Sequence, residues 1–136
     1  MGRSYLFECP KCGYRAKVSG RLDRGFDYQV QTILCRDCKA LYDAVVRLKI
    51  PRAQGLKPGF GWPPAPAHHR VPDGPPAFEA VLNRLPVAGR HFRWILFGIR
   101  CPVSAAHTVR TWNEPDKCPK CGIYLEKNAL PYRVWE

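Results

Sequence analysis

The chain has 136 residues, 46% of them hydrophobic, and 22 basic against 11 acidic side chains give it a formal charge of +11. That length holds one ordinary domain or two very small ones, and the apolar content supports a folded chain over a disordered polyelectrolyte. Fourteen prolines and eleven glycines argue for many turns and against long helices.

The positive charge is spread along the chain, with no polybasic tail. Residues 1–50 carry a net +5, and residues 51–90 and 91–136 carry +3 each. Such a balance favours polyanionic partners, nucleic acid first, because neutralised phosphates release counterions. The bland alternative is a basic protein with no such partner. Met1–Phe7 runs straight into Glu8 and a cysteine motif with no apolar signal region, and Trp94-Ile95-Leu96-Phe97 is far too short for a membrane span. Seven cysteines, an odd number in close spacings, point to metal ligation in a reducing, cytoplasmic setting.

In chain order, Ser4–Glu8 reads as a strand entering the knuckle Cys9-Pro10-Lys11-Cys12-Gly13. Gly13 suits the positive φ that follows such a knuckle. Tyr14–Val18 alternates apolar and basic residues, which predicts a half-buried strand, and Ser19–Gly25 is turn chemistry. Tyr28–Leu34 alternates again and delivers Cys35-Arg36-Asp37-Cys38. Leu41–Ile50 reads as a third strand, a short helix being the alternative. Two Cys-x-x-Cys pairs with this separation can converge on one tetrahedral Zn²⁺. The expected first site is therefore Cys9, Cys12, Cys35 and Cys38.

Pro51–Pro76 holds eight prolines and four glycines in 26 residues and reads as a stiff linker, in which Phe60 and Trp62 offer apolar handles. His68-His69 has no third ligand nearby and reads as solvated loop. Phe78, Val81, Leu82 and Leu85 form one apolar stripe of a short helix ending before Pro86. His91–Arg100 and Val109–Trp112 read as strands, Gly122–Lys127 as another, and Leu130–Trp135 as an aromatic tail packing back. Cys101, His107 and the second knuckle Cys118-Pro119-Lys120-Cys121-Gly122 complete a second expected site of three cysteines and one histidine, with His91 as an alternative ligand.

The order strand, knuckle, hairpin, knuckle, strand over residues 5–50 resembles the zinc-ribbon superfamily. Cys9-Pro10-Lys11-Cys12-Gly13-Tyr14 also looks like the first half of rubredoxin, but Cys35-Arg36-Asp37-Cys38-Lys39 departs from the Cys-Pro-x-Cys-Gly form of its second half. The two complete ligand sets imply two structural zinc ions, with iron the lesser alternative.

The expected fold class is thus small, metal-stabilised and mainly β. It has a ribbon module over residues 1–50, a linker over 51–76 and a second module over 77–136. No phosphate loop, nucleophile elbow or paired carboxylate is present, so no catalysis and no small-molecule substrate are expected. Basic residues interleaved with aromatics make Arg15, Lys17, Arg21, Arg24, Arg93 and Arg110 the candidate nucleic-acid contacts, though the same arginines could simply be solvated. Trp94 and Trp112 are expected in the core. The partner is then a nucleic acid or a nucleoprotein assembly. The second reading is a protein–protein adaptor, and the third a rubredoxin-like electron carrier.

Overall fold

The computed structural model describes residues 1–51, 75–87 and 90–135, so most of the expected linker, with His68 and His69, lies outside the described residues. The elements are β1 (Gly2–Glu8), β2 (Arg15–Val18), β3 (Asp23–Arg24), β4 (Tyr28–Cys35), β5 (Ala40–Pro51), α1 (Phe78–Leu82), β6 (Phe92–Leu96), β7 (Val109–Thr111) and β8 (Glu126–Trp135). The protein is mainly β. Among the described residues, no helix is long and apolar enough to cross a membrane.

Two antiparallel sheets organise these strands. The smaller has the order β2-β1-β8 and the larger β3-β4-β5-β6, with β7 also paired to β4. Period-two patterning sets the β1–β2 register. Tyr5 faces Val18 and Phe7 faces Ala16 on the buried side, while Leu6 faces Lys17 and Glu8 faces Arg15 on the other. All eight residues of β4 are buried, because this strand has partners along both edges. Its alternation of Tyr28, Val30, Thr32 and Leu34 with Gln29, Gln31 and Ile33 therefore marks two covered faces.

Strands from the two ends of the chain share sheets. The first strand pairs with the last, Gly2 opposite Trp135 and Glu8 opposite Glu126. In the larger sheet, Cys35 of β4 lies opposite Val109 of β7. One apolar cluster gathers Tyr5, Phe7, Ala16, Val18, Leu34, Leu41, Trp112 and Leu125 around Cys9 and Cys118. At its centre Trp112 is fully buried, meets the Phe7 ring edge-on at 5.2 Å, and donates its indole N–H to the Lys117 carbonyl at 2.9 Å. A second cluster joins Tyr28, Val30, Val45, Leu48, Val81 and Trp135, with Tyr28 stacked on Trp135 at 4.8 Å.

Three sequence expectations shift here. The helix ends at Leu82, so Leu85 falls outside it and is exposed. The aromatic tail is itself strand β8, and only Trp135 of its ten residues is buried. Trp94 is half-buried on β6, an edge strand that leaves Leu96 exposed, while Trp112 takes the core place expected of both.

Candidate metal centres

Each Cys-Pro-Lys-Cys-Gly knuckle closes on itself in the same way. In the first, the N–H of Cys9 donates to the Tyr14 carbonyl at 2.8 Å and the N–H of Gly13 to the Cys9 carbonyl at 3.1 Å. In the last, the N–H of Cys118 donates to the Ile123 carbonyl at 2.5 Å and that of Gly122 to the Cys118 carbonyl at 3.0 Å. Gly13 and Gly122 both sit at φ 77°, the left-handed conformation that turns the chain back after the second cysteine. The two pentapeptides are alike in sequence and in backbone.

They also face each other. The Sγ atoms of Cys9 and Cys121 lie 3.2 Å apart, and those of Cys12 and Cys118 3.6 Å apart. The second group consists of Cys35, Cys38, Cys101 and His107. Here Cys38 and Cys101 sulfurs are 3.6 Å apart, and the His107 Nδ1 lies 3.4 Å from Cys38 and 3.6 Å from Cys35. Within each group the four donor atoms all fall within 4.8 Å of one another. A tetrahedral ion with metal–sulfur bonds of about 2.3 Å needs sulfur–sulfur edges of about 3.8 Å, so both groups fit a four-coordinate metal. These separations are far too long for disulfides, which need about 2.05 Å.

The expected partition of ligands is therefore corrected. The four-cysteine group is Cys9, Cys12, Cys118 and Cys121, not Cys9, Cys12, Cys35 and Cys38. The mixed group is Cys35, Cys38, Cys101 and His107, not Cys101, His107, Cys118 and Cys121. Strand pairing is the reason. Cys9 follows directly on Glu8, whose partner Glu126 comes five residues after Cys121, so the β1–β8 ladder sets the two twin knuckles side by side. Cys35 is the residue of β4 opposite Val109, so the β4–β7 ladder lowers the 101–107 loop onto the middle knuckle. Each centre ties the beginning of the chain to its end, and the expectation of one complete ligand set in each half does not hold.

Backbone N–H groups tune these sulfurs. The N–H of Cys12, pointing at Cys9 Sγ from 3.5 Å, is the main influence holding the Cys9 thiol down at about 6, against the effect of burial. Burial works to raise the Cys101 thiol, but the N–H groups of Ser104 and Val103, together with the Cys35 and Cys38 thiols, hold it below the ordinary value. Metal ligation requires deprotonation, which these two thiols favour. In Cys12, Cys38 and Cys121, hydrogen bonds that work to lower the thiol are overcome by burial and neighbouring thiols, which hold it above the ordinary value. Cys12 is exposed, while Cys9 and Cys118 are buried. Around the second group, Asp37 accepts the N–H of Thr108 at 2.8 Å, and Arg36 donates its N–H to the Thr108 carbonyl at 3.0 Å. These bonds pin the residue next to His107.

The candidate nucleic-acid contacts are dispersed. Arg15 and Lys17 share the exposed face of β2, where Arg15 meets Glu8 at 3.6 Å and Lys17 donates to the Tyr132 hydroxyl at 3.1 Å. Arg21 and Arg24 are exposed in and beside β3, and Arg93 is exposed on β6. Arg110 is half-buried on β7 and bound to Asp116 at 3.1 Å.

Two residues escaped sequence reasoning. Phe26, at the tip of the β3–β4 hairpin, is 71% exposed, while the neighbouring Tyr28 is buried. Asp43, on β5, lies at the centre of a buried network and accepts the Ser19 N–H at 3.0 Å and the Thr32 hydroxyl at 2.7 Å. Comparison of the chain with protein-family models, curated proteins and solved structures found no match.

Proposed function

We propose that this chain is a non-enzymatic zinc protein of zinc-ribbon type that binds nucleic acid, its two metal centres serving to hold the fold. Closed shells of four protein ligands leave no position for a reacting water, which supports staples over catalysts.

The observation that carries the nucleic-acid reading is the unequal deployment of charge. Of the nine acidic side chains among the described residues, eight are engaged in hydrogen bonds or ion pairs within the molecule, and Glu126 is exposed without one. Asp23 accepts the N–H groups of Arg3 and Arg24, Asp27 that of Val87, Asp37 that of Thr108, and Asp43 that of Ser19. Glu8, Glu79, Glu114 and Asp116 are paired with Arg15, Arg133, Lys127 and Arg110. Lys11, Arg21, Arg24, Arg36, Lys39 and Arg93 are exposed and have no ion pair among the described residues. Divalent ions at the two centres would add shells of charge −2 and −1, lowering the formal +11 to about +8, still a strong excess. Exposed cations beside committed acids suit a phosphate backbone.

Salt-dependent binding tests this. About five phosphate contacts to a single strand predict roughly a hundredfold loss of affinity between 50 and 200 mM salt. Affinity indifferent to salt would sink the reading and favour an apolar protein-docking surface.

A second reading rests on one observation. The first knuckle meets its own twin, so the four-cysteine group consists of two Cys-Pro-Lys-Cys-Gly segments, the form rubredoxins carry in both halves. This restores iron as a rival at that centre. Colour decides, since a ferric tetrathiolate absorbs strongly in the visible and zinc does not.

A further inference from the structure

A cleft of about 830 Å³ opens between the β3–β4 hairpin, the end of β8 and the segment that follows α1. Tyr28 and Trp135, stacked on each other and buried, form part of its lining. Phe26 stands at its rim, solvent-exposed on a hairpin tip closed by the Gly25 N–H donating to the Tyr28 carbonyl at 2.9 Å.

Charge in the cleft is biased. Both lining acids are engaged, Asp27 by Lys49 and the Val87 N–H, and Glu79 by Arg133. The third lining cation, Arg84, is exposed and has no ion pair among the described residues. Arg24, equally without an ion pair, lies two residues before Phe26. An exposed aromatic ring and unpaired cations together suit a flat ring attached to phosphates.

We propose that this cleft is the seat of an unstacked base of single-stranded nucleic acid, with Phe26 as the stacking platform and Arg84 and Arg24 as phosphate contacts. The proposal rests on the nucleic-acid reading above and narrows it to one strand form and one place. A duplex keeps its bases stacked and offers no ring to the cleft, so single strands are preferred.

The test is fluorescence anisotropy of labelled 15-nucleotide oligo-dT, oligo-U and a duplex of equal length at matched salt. It uses the full chain and the variants Phe26→Ala, Arg84→Ala and Tyr124→Ala. Tyr124 is an exposed aromatic outside the cleft. The expected result is at least tenfold tighter binding of one of the single strands than of the duplex. Phe26→Ala then weakens that binding about tenfold with the salt slope intact. Arg84→Ala lowers the slope by about 0.7, and Tyr124→Ala changes nothing. Single-strand binding that survives Phe26→Ala and Arg84→Ala unchanged overturns the cleft and leaves the broader reading standing. Absence of binding to all three probes overturns both. Phe26 contributes no buried surface to either core cluster, so its loss leaves folding intact.

Discussion

Asp43 is the side chain whose titration is most directly visible in the fold. Burial pushes its carboxyl up to about 6, against the opposing hydrogen bonds from Thr32 and Ser19. The ordinary value is 3.8, so between about pH 4 and pH 6 the folded chain holds a proton that the unfolded chain has released. Stability from this group is therefore complete below about pH 4 and is lost as pH rises through 6. Lowering the pH from 7 to 5 should return about 1.4 kcal/mol through Asp43 alone. Metal binding is itself pH-dependent, so the quantity to measure is a difference. Denaturant unfolding of the native chain and of Asp43→Asn should be compared at each pH with metal in excess. The asparagine cannot ionise, while the metal titration is common to both. The native chain should gain about 1.4 kcal/mol on the variant between pH 7 and pH 5. A difference constant across that range would refute the reasoning.

Trp112→Ala should destabilise the fold by about 3–5 kcal/mol in the same assay, because a fully buried indole and its contact with Phe7 are removed together. Gly13→Ala and Gly122→Ala should each cost about 1–2 kcal/mol and cost nearly the same. Both glycines sit at φ 77° with open space around them, so the left-handed backbone alone sets the penalty. Unequal costs would contradict the equivalence of the twin knuckles. Gly2→Ala should loosen the end of β8, because the added methyl would fall on the Trp135 ring, and the loss should appear as faster hydrogen exchange of β1 and β8.

The strands were legible wherever residues alternated cleanly. Tyr14–Val18 and Tyr28–Leu34 needed only period-two patterning, and observed β2 and β4 fall on them. All eight residues grouped around the two centres were visible in the sequence, six as Cys-x-x-Cys pairs and Cys101 and His107 as the remaining ligand types near them. The grouping was not, because spacing measures separation along the chain while ligation depends on which strands pair. One local signal did exist. Cys9–Gly13 and Cys118–Gly122 are the same pentapeptide, and Cys35–Lys39 is not. Like knuckles share a centre, and the unlike one takes Cys101 and His107. The exposure of Phe26 and the burial of Tyr28, two residues apart, depended on the stacking of Trp135 from the other end of the chain, which no local pattern encodes.

Cadmium reads the crossed ligation directly in the unmodified protein. With ¹¹³Cd at both centres, proton–cadmium correlation spectra connect each ion to the Cβ protons of the cysteines that hold it. One cadmium should correlate with Cys9, Cys12, Cys118 and Cys121, and the other with Cys35, Cys38, Cys101 and the His107 ring. A cadmium correlated with Cys9, Cys12, Cys35 and Cys38 would rule out crossed ligation.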